Sequence, residues 1–432
     1  MKIHNVLIFP AGSEIGFEIY NALKFAKDIK IFGGTSTKDH SQFVYKRLIS
    51  GIPFCTAPDF IEKLNKTIEE NDIEFVYPAH DSVELFLTEH LDEIKATVVT
   101  SPLKTVDICR SKKKTYDYFA DCDFIPKYYS DISEIEQYPV FVKPQVGQGS
   151  NGAVRCDDRR ALEIRLLEGD DVVICEYLSG TEYTIDCFTD KDGKLRVVSL
   201  RDRARTKAGI SVNSHSIPAD KDIMRIAEII NSRLVFCGAW FFQMKRNSLG
   251  EYRLLEMSAR IPGTMGLSRN MGVNFPLLTI YTLLGMDVDI CRQNYAIEVD
   301  RTFINRYEIG QDYSAVYVDL DDTLELGNKV NQWLLLFLYQ CVNSEKKLYL
   351  LTRHARTVAE TLKSHRLSEK LFDEIIHIKD DTKKSDYIKE KSAIFIDDSF
   401  RERKDVLQNC GINVFDLDEI DALIDWKDIC YN

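Results

Sequence analysis

Between Tyr317 and Leu324 the chain reads YVDLDDTL, with two carboxylates, Asp319 and Asp321, at the end of an apolar run and Thr323 just beyond them. A carboxylate that ends a buried strand is costly unless a metal or hydrogen-bond donors meet it. Asp321 lies close enough to exchange a proton with a leaving group that Asp319 attacks. Alone, Asp-x-Asp-x-Thr also suits a fragment of a calcium loop. Three more features come later in the chain, in order. Thr352 ends the apolar strand LYLLT, Lys384 opens a helix in TKKSDYI, and Asp397 and Asp398 end the strand AIFIDD.

A second group of chemistry-bearing residues lies mid-chain. Gly147, Gly149, Ser150 and Gly152 belong to GQGSNG. This satisfies G-x-G-x-x-G, but a dinucleotide fingerprint needs a strand before it and a helix opening at its end. The next residues, AVRC, are β-like and then charged, so the glycines are expected to join two antiparallel strands. Such a hairpin can still fold over phosphates, because glycine lets backbone N–H groups approach closely. Lys143, just before it in FVKP, supplies a cation. Gln243 lies on WFFQMK, and Glu256, Ser258 and Arg260 alternate in RLLEMSAR. Period two puts these last three on one strand face. Carboxylate, amide and hydroxyl oxygens suit Mg²⁺, which takes few protein ligands beside phosphate oxygens. Arg260 can grip a phosphoryl group bidentately. Arg201, Arg203, Arg205 and Lys207 also alternate, and a face turned toward phosphates or an anionic substrate would relieve their mutual repulsion.

These residues need rigid elements to hold them. The first hundred residues alternate apolar strands (NVLIF, IKIFGG, IEFVYPAHD) with amphipathic helices such as EIYNALKFA, the pattern of a parallel α/β domain. Asp81 follows FVYPAH at a strand's carboxyl edge, where open α/β sheets bind ligands; a binding role and a loop cap both suit it. From about Val106 to Tyr307 the stretches YPVFVKP, VVICEYL, YTIDCF and AWFFQMK are β-rich, interrupted by a helix at DIMRIAEIINSRLV. EIGQDY reads as a linker. From about Asp312, strands AVYVD, LYLLT, IIHI and AIFID alternate with helices again. Three domains agree with 432 residues at roughly 150 per domain.

The composition, 44% hydrophobic and 29% charged, is that of a soluble globular protein. A net charge of −12 argues against nucleic acid or an anionic membrane as a bulk partner. The 11 cysteines, without a CxxC pair, read as reduced thiols of a cytoplasmic protein. The N-terminus reads as a first strand rather than a signal peptide. The run WLLLFLYQCV is half the length needed to cross a bilayer and reads as a buried helix.

Taken in order, the pieces over about residues 1–305 resemble the ATP-grasp family, especially its carbamoyl-phosphate-synthase-like branch. The resemblance rests on SKKKTY, FVKPQVGQGSNG, CEYLSGTEYTID, Gln243 and the Glu256 strand. It implies an α/β multidomain chain: a pre-ATP-grasp α/β domain over 1–105, then an ATP-grasp α+β domain over 106–307. ATP and Mg²⁺ are the implied cofactors. Lys112, Lys143, Gly147, Gly149, Ser150 and Gly152 would serve the phosphates. Glu176, Tyr177 and Leu178 would hold adenine and Glu182 the ribose. Gln243 and Glu256 would bind metal, and Arg260 would act in catalysis. Ser111 replaces a usual aspartate, and Ser258 stands where an asparagine metal ligand is usual.

Residues 312–432 resemble the haloacid-dehalogenase (HAD) phosphatase superfamily, on the strength of Asp319, Asp321, Thr352, Lys384 and the Asp397–Asp398 pair. The resemblance implies a HAD-like Rossmannoid α/β domain. Asp319 would form an aspartyl-phosphate and Asp321 would be the general acid/base. Thr352 and Lys384, with Lys383 as the alternative lysine, would hold phosphoryl oxygens. Asp397 or Asp398 would complete a Mg²⁺ site with Asp319, and Asp321 is included among the candidate metal residues. About thirty residues separate Asp319 from Thr352, and about thirty Thr352 from Lys384, which leaves no room for a cap insertion. The combined expectation is a carboxylate–amine ligase using an acyl phosphate, joined to a phosphatase that strips phosphate from a phosphorylated amine adduct. The alternatives are a peptide-forming ligase with a repair phosphatase, or a nucleotide-binding sensor or scaffold. Partners are then a small carboxylate and an amine, without nucleic acid or membrane, and with a homodimer as a candidate assembly.

Overall fold

The computed structural model describes residues 2–147, 149, 151–169 and 171–428. The chain forms two compact units, Met1–Phe303 and Ile304–Cys430.

The first unit opens with the parallel sheet that the alternation of NVLIF, IKIFGG and IEFVYP requires. Its strands run in the order Leu48–Ser50, Ile29–Thr35, His4–Phe9, Phe75–Pro78, Thr97–Val98. Leu7, Phe9 and Val76 pack against Phe60 and Leu64 of the helix Phe60–Glu70 and Leu87 of the helix Asp81–Glu89. Strand order reverses between His4–Phe9 and Phe75–Pro78. A crevice therefore opens beyond their carboxyl ends, flanked by Ser13 and Asp81.

Two further sheets complete this unit. A four-stranded antiparallel sheet runs Tyr128–Tyr129, Val172–Glu176, Val140–Pro144, Val154–Cys156. Here Val140–Pro144 and Val154–Cys156 are the antiparallel pair that the glycine stretch joins. A seven-stranded sheet is built around Glu182–Thr189 and Gly238–Arg246. Its apolar face buries Trp240, Phe242 and Leu254 against Ile226 and Ile230 of the helix Lys221–Arg233. Each such fully buried side chain contributes on the order of 1.5–3 kcal/mol of transfer free energy.

One irregularity in this sheet bears on the chemistry. Gln243 pairs with Glu256 but Met244 pairs with Leu254, so Leu255 is an extra residue, a bulge. Tyr252 and Leu254 face the core; strict alternation would send Glu256 there too. The bulge turns Glu256 to the open side and gives the core position to Met257.

In the second unit a parallel sheet runs Glu374–His377, Lys347–Thr352, Ala315–Val318, Ala393–Ile396, Asn413–Phe415. Alternate residues feed two cores, Val316, Leu350 and Ile394 on one side and Tyr317, Leu351 and Phe395 on the other. A parallel sheet covered on both faces explains why these strands read as continuous apolar runs. Between Thr352 and Lys384 stand only the helix Val358–Ser364, a short turn of helix and the strand Glu374–His377.

The run WLLLFLYQCV forms the helix Gln332–Asn343, but it is not buried all round. Leu334, Phe337, Leu338 and Cys341 face the core, whereas Trp333, Tyr339 and Val342 are exposed. An apolar run cannot reveal which side a one-sided helix buries. Among the described residues the cysteines are free thiols, and no helix is long and apolar enough to cross a membrane.

Candidate functional sites

The first unit holds a cleft lined by Lys112, Lys143, Glu176, Tyr177, Leu178, Glu182, Gln243 and Glu256, together with Gly147 and Gly149. Lys112 begins the helix Lys112–Tyr118, which Ser111 caps by accepting the Lys114 N–H, and its Nζ lies 3.3 Å from Glu256 Oε2. Lys143 is buried. Its Nζ donates to the Tyr116 hydroxyl at 2.6 Å and to the Leu255 carbonyl at 2.9 Å, the carbonyl that the bulge leaves outside the ladder. Burial pushes the Lys143 ammonium below its ordinary value.

At the other end of the cleft, Glu176 Oε1 accepts the Lys127 N–H at 2.9 Å. The Tyr177 ring lies under the Arg155 guanidinium, 4.6 Å away. Glu182 begins its strand and pairs with Arg203 Nε at 2.7 Å. Gly152 has a positive φ of 71° and receives the Arg165 Nη2 hydrogen bond at its carbonyl. Ser150 lies outside the described residues.

Glu256, Ser258 and Arg260 line one cavity, but the last two are engaged by a carboxylate from the first sheet's crevice. Ser258 Oγ donates to Asp81 Oδ1 at 3.2 Å, and Arg260 grips the same carboxylate through Nε at 2.8 Å and Nη2 at 2.7 Å. Its remaining Nη1 donates to the Ile261 carbonyl. The bidentate geometry expected for a phosphoryl group is thus occupied by Asp81, a partner 179 residues away in sequence. Burial drives Asp81 upward, but the Arg260 charge and hydrogen bonds, with the charges of Arg110 and His80, together outweigh it and hold the carboxyl at about 2. Beside it, burial, reinforced by the Asp81 charge, raises Glu84 to about 8.

The expected cationic face of Arg201, Arg203, Arg205 and Lys207 does not form. The strand ends at Asp202, and a separate short strand, Arg205–Lys207, comes after it. Arg201 is buried against Asp186 at 3.0 Å, Arg203 pairs with Glu182, Arg205 pairs with Asp300, and Lys207 lies over the Phe303 ring. Asp186, Glu182 and Asp300 relieve the repulsion of the three arginines, and Arg203 still lines the cleft.

The second unit gathers its site at the carboxyl ends of three adjacent strands. Asp319 follows Ala315–Val318, Thr352 ends Lys347–Thr352, and Asp397 follows Ala393–Ile396. Lys384 Nζ sits 2.7 Å from Asp319 Oδ1 and 2.6 Å from Asp397 Oδ2. Oxygens of Asp319, Asp397 and Asp398 lie within 4.8 Å of one another. Burial raises Asp319 and carries Asp397 to about 6, in both cases despite the Lys384 charge. The Thr352 hydroxyl lies against Asp319 but makes no well-formed hydrogen bond. Lys383 instead turns outward to Asp405 at 2.8 Å.

Asp321 stands apart from this carboxylate group. Its half-exposed carboxyl meets His354 Nδ1 at 2.7 Å and falls in a separate cluster with Glu325 and His354. Its carboxyl is not part of the Asp319–Asp397–Asp398 group but belongs to this second set of potential metal donors. Thr323 Oγ1 exchanges hydrogen bonds with Asp398, donating to Oδ1 at 3.1 Å or accepting its N–H at 3.0 Å. Sequence reasoning passed over Tyr116 and His354. The only signal for either was proximity, Tyr116 within SKKKTY and His354 two residues past Thr352.

The first unit has the ATP-grasp fold. Residues 168–303 match the family model described as ATP-grasp in the biosynthetic pathway with Ter operon. Over 143 residues the chain is 29% identical to a D-alanine–D-alanine ligase of Fusobacterium nucleatum, an alignment that covers 30% of this chain. It spans 46% of that relative, less than half its length. Among solved structures, the biotin carboxylase domain of Hydrogenobacter thermophilus 2-oxoglutarate carboxylase, bound to MgADP and bicarbonate, aligns with a TM-score of 0.57 at 16% identity, covering 69% of this chain and 74% of that one. An L-amino acid ligase from Bacillus licheniformis aligns at 0.51 and 19% identity, covering 66% and 75%. N5-carboxyaminoimidazole synthetase from Staphylococcus aureus aligns at 0.53 and 14%, covering 68% and 81%.

Proposed function

We propose that the chain is a bifunctional cytoplasmic enzyme: an ATP- and Mg²⁺-dependent carboxylate–amine ligase in its first unit and a HAD-type phosphomonoesterase in its second. The ligase half rests on the convergence of Lys112, Lys143, Glu176, Glu182, Gln243 and Glu256 on one cleft of an ATP-grasp unit. Lys112 and Lys143 would neutralise phosphate oxygens, the Glu176–Leu178 segment would hold the base, and Glu182 the ribose. Gln243 and Glu256 face each other in register and offer two oxygen donors, a set that suits Mg²⁺ when phosphate oxygens and water complete its shell. Bound ATP supplies the phosphoryl group that activates the carboxylate toward the amine. The side chains contribute positioning and charge neutralisation.

The phosphatase half rests on the charge balance at the end of the second sheet. Asp319, Asp397 and Asp398 with Lys384 sum to two negative charges, the deficit that one divalent cation fills. Bound Mg²⁺ would neutralise charge on the phosphoryl oxygens there. Asp319 attacks phosphorus, Asp321 protonates the leaving oxygen, and the unsatisfied Thr352 hydroxyl has a donor free for a phosphoryl oxygen. Two phosphate-handling sites in one chain suit a coupled sequence. A phosphorylated amine, such as an amino-alcohol phosphate, is joined to a uronate or amino acid, and the adduct then loses its phosphate.

Asp319→Asn tests this, because an amide neither attacks phosphorus nor carries the charge. The parent should give an unphosphorylated amide and the variant an amide heavier by one phosphate, with ADP release near the parent rate. Phosphatase loss should be large, up to the ~10⁶-fold known for removal of a covalent nucleophile. The same unphosphorylated amide from both proteins would refute the coupling, and the absence of ADP release that needs both substrates would refute the ligase.

A further inference from the structure

We propose that His354 is a positioning residue for Asp321: it fixes which carboxyl oxygen exchanges the proton during phosphomonoester hydrolysis. The inference rests on the proposed phosphatase activity of the second unit.

Asp321 and His354 differ sharply in environment. The Asp321 side chain is 48% exposed, which alone would leave it free to rotate, whereas the His354 side chain is 2% exposed. Both ring nitrogens are engaged: Nδ1 meets Asp321 Oδ1 at 2.7 Å and Nε2 meets Thr361 Oγ1 at 2.6 Å. The backbone is pinned too, since the His354 carbonyl accepts from His377 Nε2 at 2.7 Å. Thr361 is buried in the helix Val358–Ser364. With its hydroxyl donating to Nε2, the ring hydrogen resides on Nδ1 and points at Asp321. Glu325 comes close as well, but its Oε1 is taken by His365 at 3.0 Å and Arg356 at 3.5 Å.

The consequence is an asymmetric carboxyl. Oδ1 is held as an acceptor by a buried N–H, while Oδ2 makes no hydrogen bond among the described residues and is the oxygen left to exchange a proton. As the Asp319 oxygen–phosphorus bond forms and the phosphorus–leaving-group bond breaks, the Oδ2 proton passes to the departing oxygen. Water then attacks the aspartyl-phosphate, Oδ2 takes the water proton, and phosphate leaves with Asp319 restored. Removal of the ring leaves both oxygens free to turn away, so the loss should fall on leaving groups that need the proton.

The test compares two substrates. A 4-nitrophenyl ester departs as a stable anion, whereas β-glycerol phosphate releases an alkoxide that must be protonated. His354→Ala is expected to lower kcat/KM on β-glycerol phosphate by about 10²-fold, within the range of general acid catalysis, and on 4-nitrophenyl phosphate by only a few-fold. His354→Asn, whose amide N–H can take the place of Nδ1–H, should restore most of the loss. Equal losses on both esters, no loss on either, or no recovery with asparagine would overturn the inference. Hydrolysis of 4-nitrophenyl phosphate by the parent, abolished in Asp319→Asn, checks the phosphatase reading separately. If the parent hydrolyses neither ester, that reading fails and the inference falls with it.

Discussion

Replacement of Glu84 by glutamine should stabilise the first unit, and by an amount that grows with pH. Glu84 is 3% exposed, its Oε1 has no hydrogen-bond partner, and the Asp81 carboxylate adds repulsion to the desolvation that raises its pKa to about 8. In the unfolded chain the group titrates near its ordinary 4.5. The folded value is raised, so the stability is fully present below pH 4.5 and is lost as pH climbs toward 8. At about 1.4 kcal/mol per unit, the loss is about 1 kcal/mol at pH 5 and about 3 kcal/mol at pH 7. Glutamine keeps the shape and never ionises, so Glu84→Gln should exceed the parent by those amounts. Urea denaturation measures this cleanly if Trp333 and Trp426 are first changed to phenylalanine in both proteins, because Trp240 then reports on the first unit alone. A stability difference that stays constant between pH 5 and pH 7 would show that Glu84 titrates as an ordinary carboxyl and would refute the reasoning.

Two other substitutions probe separate links. Glu256→Gln removes the charge that faces Lys112 and Gln243; ligation should fall at least tenfold while hydrolysis of a small phosphate ester continues, and parallel loss of both in a folded protein would contradict separate sites. Asp186→Asn leaves the buried Arg201 guanidinium without its countercharge and should cost about 3–5 kcal/mol in the same denaturation assay; a change under about 1 kcal/mol would mean that the pair is dispensable.

Local pattern made much of this legible. Alternating apolar strands and helices announced both parallel sheets, and AVRC after the glycines announced a hairpin. Asp319, Thr352 and Asp397 were found because a carboxylate or hydroxyl at the end of an apolar run is conspicuous against its neighbours. What escaped depends on partners remote in sequence. Arg201 looked free because Asp186 meets it only across the sheet, and Arg260 looked available because Asp81 reaches it from another sheet's crevice. His354 looked like an ordinary loop histidine until the fold set it against Asp321.

The extra residue at Leu255 has a consequence for how this chain can change in length. A deletion of Leu255 would restore strict alternation and leave Glu256 on the open face opposite Gln243, but it would withdraw the carbonyl that Lys143 and Tyr116 both reach. Lys143 would lose that acceptor although its own codon had not altered. A substitution at Leu255 keeps the count and leaves the carbonyl in place. Sequence drift at this position is therefore tolerable where a frame-preserving indel is not, and the strand Tyr252–Ser258 is a segment whose length, more than its side chains, is under constraint.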